Sequence, residues 1–95
     1  MATYVIKRGG KREPFRVEKL KKSIRMACKD ASIVGIRAKK AVTKVSGPVM
    51  RFAAKRKAIK ASVLRQKVLA GLKKVEPTAA KAWVWHDKRR RARRR

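Results

Sequence analysis

Apolar residues in this chain follow two rhythms. Residues 3–8 (TYVIKR) are rich in β-branched and aromatic residues and predict a strand. Gly9 and Gly10 then supply a turn that tolerates positive φ, and residues 11–15 (KREPF) return as a second strand. Pro14 has no amide hydrogen, so this second strand belongs at a sheet edge or ends there. From residue 17 the spacing changes to three and four. Leu20, Ile24, Ala27, Cys28 and Ala31 give one apolar face to a helix over 17–31, with Lys19, Lys21, Lys22, Arg25 and Lys29 on the other side. Glu18 suits the positive end of its dipole, and Ser32 and Gly35 allow a stop.

A second helical segment is expected from about Gly35, with Ile36, Val42 and Val45 inward and Arg37, Lys39, Lys40 and Lys44 outward. Ser46–Gly47–Pro48 should break or kink it before residues 49–58 resume a helical pattern. Ile59 marks a short third strand. Ser62 is placed to cap a third helix carrying Leu64, Val68, Leu69 and Leu72 on its buried stripe. Pro77 opens a last helix in which Ala79, Ala82, Trp83 and His86 share a face and Trp85 points elsewhere. The predicted order is β-β-α-α-β-α-α. It is an α+β domain with an N-terminal β-hairpin and a short third strand packed on a bundle of about four helices, over residues 1–87. An arginine-rich extension follows at 88–95.

Charge changes this picture most. Lys and Arg number 31 against 5 Asp and Glu, a formal charge of +26 on 95 residues. Solubility does not need so much, and a compact fold that carries it repels itself. The working state is expected to include a polyanion. Basic clusters recur throughout: Lys11 and Arg12, Lys21 and Lys22, Lys39 and Lys40, Lys55–Arg56–Lys57 with Lys60, and the terminal run Lys88, Arg89, Arg90, Arg91, Arg93, Arg94 and Arg95. Many such contacts sum to tight, salt-sensitive phosphate binding, and arginine forks grip phosphates at two points. Basic residues on all sides favour folded RNA, rRNA in particular, over a DNA duplex that would be met on one side. For Trp85 a place in the core is expected ahead of stacking on a base.

Other chemistry is sparsely represented. The five carboxylates show no paired spacing for acid–base work. His86 is the lone histidine, and Cys28, on an apolar face, is the lone cysteine, which leaves no intrachain disulfide and no Cys-based zinc site. No Walker-type phosphate loop or nucleophile elbow is present. Catalysis and metal binding are therefore not expected. The first ten residues hold no apolar run of roughly 7–15 residues, and no segment approaches the roughly 20 needed to span a bilayer. A location in the cytoplasm, on the ribosome, is expected, or in the nucleoid if DNA is the partner.

The opening VIKRGGKREPFRVEKLKKSIRMACKDA resembles that of the ATP-cone family, typically V-x-K-R-D-G-x-x-x-x-F-D-x-x-K-I followed by a basic amphipathic helix. The close, AIKASVLRQKVLAGLKKVEPTAAKAWVWHDKRR, is similar to the family's short strand, helix and final helix. The resemblance implies a helical bundle capped by a sheet, in modules that bind ATP or dATP and regulate ribonucleotide reductases or act in related regulators. It places Val5, Lys7, Arg8, Glu13 and Lys19 at nucleotide-contacting positions. Gly9, Arg16 and Ala61 depart from the usual Asp, Asp or Asn, and Thr or Ser. Three functions follow as expectations. The first is a non-catalytic rRNA-binding structural protein alongside other ribosomal proteins, with no small-molecule substrate. The others are a DNA-binding nucleoid or regulatory protein and an ATP- or dATP-sensing module.

Overall fold

The computed structural model describes residues 4–93, without the side chains of Arg8 and of residues 90–93. Strand β1 (Tyr4–Ile6) runs into a 3-10 turn at Arg8–Gly10 and returns as β2 (Arg12–Pro14). Gly9 and Gly10 sit at φ +81° and +82°, where a side chain would be strained. Lys7 N–H donates to Lys11 C=O at 2.7 Å and Gly10 N–H to Lys7 C=O at 3.0 Å, which closes the hairpin. The expected third strand is present as β3 (Ala58–Lys60). It pairs parallel with β1, Ile6 opposite Lys60, and gives the sheet order β2-β1-β3. β2 is thus an edge strand, the position Pro14 requires.

Helix α1 (Val17–Asp30) buries Leu20, Ile24, Ala27 and Cys28 along its periodic face. It ends in a Schellman motif. Ser32 N–H reaches Lys29 C=O at 3.0 Å and Ile33 N–H reaches Cys28 C=O at 2.8 Å. Ser32, not glycine, holds the left-handed position at φ +61°. The motif turns Ile33 into the core, where it is 3 % exposed. Ile36, expected inward, is instead 74 % exposed, because the αL residue rotates the chain so that Ile33 takes the inward place.

Helix α2 (Gly35–Ala54) is continuous through the expected break at Ser46–Pro48. Pro48 leaves the Lys44 carbonyl without its helical donor, yet Val45, Val49 and Ala53 stay buried at four-residue spacing across it. Burial of this apolar stripe outweighs one lost hydrogen bond. α3 (Ala61–Val75) starts two residues earlier than the Ser62 cap predicted: Lys60 is its N-cap, and no side chain caps it. β3 runs straight into the helix, so Ser62 already lies in the first turn. α4 (Pro77–Arg93) begins on its proline as expected and carries the first part of the basic extension, residues 88–93, as continuous helix. Arg94 and Arg95 lie outside the described residues.

The four helices pack around one core that includes Ile24, Cys28, Val45, Val68, Leu72 and Trp83. A smaller cluster of Ala53 and Ile59, flanked by Phe15, Phe52 and Leu64, joins the sheet to α2 and α3. The observed order, a β-hairpin and third strand with four helices, is the predicted α+β architecture.

Candidate functional site

The sheet fixes which basic residues meet. Parallel pairing puts the ends of β1 and β3 level, Ile6 beside Lys60. The Lys7–Lys11 turn leaves from one of these ends and α3 from the other, with strands about 4.8 Å apart. The first-turn amides of α3 have no intrahelical acceptor and no side-chain cap, and its first turn holds no acidic residue. One edge of the sheet thus gathers Lys7, Lys11, Lys60 and the positive end of a helix, an arrangement suited to an anion. Lys7 Nζ lies 3.0 Å from Glu13 Oε2, both groups partly buried. Glu13 sits opposite Val5 on β2, and Val5 is buried beneath. Of the five positions implied by resemblance, these three and the backbone of Arg8 share the hairpin. Lys19 is exposed on the first turn of α1. The Arg8 side chain lies outside the described residues.

The other basic positions are distributed around the fold. Lys11 and Arg12 are exposed on the hairpin, and the Arg12 guanidinium lies 5.7 Å from the Tyr4 ring. Lys22 is exposed and Lys21 half-buried on α1. Lys55, Arg56 and Lys57 are exposed between α2 and β3. Phe52 carries Arg56 at 4.4 Å and Lys67 at 4.7 Å from its ring. Lys39 and Lys40 line an open cleft of about 360 Å³ on α2, together with Ile36, Thr43 and Lys44. A second cleft of about 230 Å³ between α3 and α4 is lined by Ser62, Arg65, Gln66, Leu69, Trp83, Val84 and Asp87. Neither cleft is lined by hairpin residues. Lys88 and Arg89 are exposed on α4. Arg90, Arg91 and Arg93 continue its backbone, with side chains outside the described residues.

Four of the five carboxylates have a basic side chain or the imidazole as a partner. Besides Lys7–Glu13, Arg65 reaches Asp87 at 3.7 Å, and His86 Nε2 bonds Asp30 between α4 and α1. Arg37 grips Glu76 with both arms, Nε to Oε2 at 2.6 Å and Nη2 to Oε1 at 2.7 Å. These bonds hold the Glu76 carboxyl below its ordinary pKa and raise that of Arg37. Burial pushes the Cys28 thiol up, and the Glu76 charge adds to this. Among the described residues no group of three or more His, Cys, Asp or Glu converges. No helix there is long and apolar enough to cross a membrane.

The sequence did not reveal these pairs, which join residues as many as 56 apart. It also misplaced Trp85, which is 53 % exposed and not a core residue. Its offset from the Ala79–Trp83–His86 face was the available signal. Trp83 is the buried member of the pair, with its indole N–H 3.5 Å from Ser23 Oγ.

A search of curated proteins returns no significant match. A family model, the ATP cone domain, matches residues 3–91. That span takes in the hairpin, β3 and all but the last two residues of α4, and on it the chain belongs to the ATP-cone family.

Proposed function

We propose that this protein is a non-catalytic regulatory module that binds ATP or dATP at the hairpin edge of its sheet. The observation that carries the reading is the meeting of Lys7 and the Gly9–Gly10 turn with the uncapped start of α3, in a chain of the ATP-cone family. Phosphate oxygens placed there meet the Lys7 ammonium, Lys60 and the helix amides. Glu13 holds the Lys7 chain in place. Calorimetry with ATP and dATP at about 0.3 M salt, where exposed charges are screened, tests it. Saturable one-site binding, lost in the Lys7→Ala/Arg8→Ala double variant with helical content intact, is expected. Equal affinity for inorganic tripolyphosphate, or unchanged binding by the double variant, refutes it.

A second reading is favoured by the surface charge. Four carboxylates are occupied within the fold, and five carboxylates cannot balance 31 basic residues. A nucleic-acid partner, rRNA before DNA, supplies phosphates around the fold. Co-sedimentation on a sucrose gradient with a fixed stoichiometry to a ribosomal subunit is the expected result. Exclusive association with DNA refutes the rRNA form of this reading, and association with neither refutes it altogether.

A further inference from the structure

The solvent side of α4 carries the most exposed aromatic ring among the described residues, ahead of Tyr4 beside Arg12 on the hairpin. Lys81, Trp85, Lys88 and Arg89 are all exposed. Trp85 lies four residues after Lys81 and three and four before Lys88 and Arg89, so the four form one stripe along the helix. The Trp85 indole is 53 % exposed. The Arg89 guanidinium lies 4.7 Å from its centroid, and the His86 ring meets it edge-on at 4.9 Å. The carboxylates near the stripe are already engaged. Asp87, on the same helix, is 8 % exposed and turned to Arg65, and Asp30 of α1 is bonded to His86. The stripe therefore presents ammonium and guanidinium groups on both sides of a flat ring, and none of its own residues is acidic. Leaving half an indole exposed to water serves no folding purpose, since Trp83 already fills the core from the same helix.

We infer that the Lys81–Trp85–Lys88–Arg89 stripe of α4 is a docking face for single-stranded nucleic acid. This deepens the nucleic-acid reading above and rests on it. Backbone phosphates lie along the basic side chains, and an unpaired base stacks on the open surface of Trp85 or on the guanidinium plane that Arg89 holds against it. A duplex keeps its bases stacked within and offers only phosphates, so the ring contributes to single strands alone. The charge complementarity selects an anionic strand, and the exposed ring selects unpaired bases.

Fluorescence anisotropy of a labelled fifteen-nucleotide oligo(dT) or oligo(U) tests the inference, with a labelled duplex of equal length alongside. Trp85→Ala should weaken single-strand binding by roughly five- to a hundredfold, the range for loss of one stacked base, and leave duplex binding and the salt slope unchanged. Trp85→Phe, which keeps a stacking face, should recover most of the loss. Lys88→Ala/Arg89→Ala should weaken both ligands and lower the salt slope by about two. Trp85 fluorescence in the unaltered protein should be quenched by the single strand, while buried Trp83 supplies a constant background. Equal losses for strand and duplex in Trp85→Ala, or none for either, overturn the stacking platform but leave phosphate binding standing. No binding to any nucleic acid overturns both. Binding only to vesicles of phosphatidylserine, with a blue shift of Trp85, overturns the inference in favour of a lipid surface.

Discussion

Gly71, near the end of α3, fixes how closely that helix approaches α2. A Cβ at this position would lie 3.1 Å from Val45 Cγ1 and 3.6 Å from Val45 Cα, against an optimum of about 3.5–4.0 Å for carbon pairs. Two effects oppose each other in Gly71→Ala. Alanine gains about 1 kcal/mol of helix propensity. The contact costs about 1–3 kcal/mol if the seam must open to relieve it. Val45 cannot swing away, because it is 1 % exposed and a β-branched residue in a helix keeps essentially one rotamer. Its backbone stands directly behind, and Val68 and Leu72 are fully buried on α3 close by. The contact term should therefore win, and Gly71→Ala should destabilise by about 0–2 kcal/mol, a Tm loss of several degrees for a domain this size.

The sign should reverse in a Val45→Ala background. That substitution alone costs about 2 kcal/mol, but it removes the methyl carbon that the new Cβ would strike. Gly71→Ala on top of it should then stabilise by about 1 kcal/mol. Urea denaturation followed by far-ultraviolet circular dichroism on the four proteins of the cycle gives the coupling energy. Stabilisation by Gly71→Ala of equal size in both backgrounds refutes the argument that this glycine is there for the approach of α2. The seam matters for function because α3 presents its N-terminus to the hairpin edge.

Other features of the fold give further expectations. Ser32→Gly should stabilise by about 0.5–1 kcal/mol, because the φ of +61° is strained for serine and free for glycine; a melt showing a loss contradicts this. The Arg37–Glu76 pair should make stability depend on acid pH. Glu76 titrates below its ordinary value of 4.5, so the pair's contribution is complete above that value and lost as pH falls through the lowered one. The difference in Tm between the unaltered protein and Arg37→Met should thus be constant from pH 7 to 5 and shrink toward pH 3, and a difference that grows there excludes it. Cys28, fully buried with its thiol pKa raised, should react with a thiol reagent only at the rate of unfolding, and rapid labelling of the native protein would show that the site opens.

How much of this was legible follows from the range of each interaction. Leu20, Ile24, Ala27 and Cys28 announce α1 because Ile24 lies three or four residues from each of the other three and all four are buried. The hairpin was legible for the same local reason, since Gly9 and Gly10 serve positive φ values that few other residues accept. The failures are places where tertiary burial overrode a local signal. Ser46–Gly47–Pro48 reads as a breaker, but the spacing of Val45, Val49 and Ala53 continues through it and the core holds the helix together. Ile36 fits the helical period, yet the backbone reversal at Ser32 gives the inward place to Ile33. At the candidate site the resemblance named Lys7 and Glu13, and their pairing across two strands follows from the hairpin register. The start of α3 beside that hairpin depends on the parallel β1–β3 pairing across more than fifty residues, which no local pattern encodes.

The two functional readings stand on separate physical ground. The nucleotide reading rests on family membership and on one edge of the sheet, where a few residues and a helix terminus converge. It does not account for the charge, since the few negative charges of a triphosphate scarcely change +26. The nucleic-acid reading rests on that charge and on where the carboxylates went. Arg37–Glu76 ties α2 to the start of α4, His86–Asp30 ties α4 to α1, and Arg65–Asp87 ties α3 to α4. The acids are used to join helices, and the outer surface is left cationic. A fold so arranged repels itself wherever its cations are closer than a Debye length of about 8 Å. Any anion that binds only the folded chain then stabilises it by mass action. The two sites draw on different side chains, Lys7, Lys11 and Lys60 for one and Lys81, Trp85, Lys88 and Arg89 for the other, so nothing in the geometry forces a choice between them. A nucleotide and a strand are drawn by the same positive field, and each lowers that field for the other, so the charge by itself couples the two sites with negative sign.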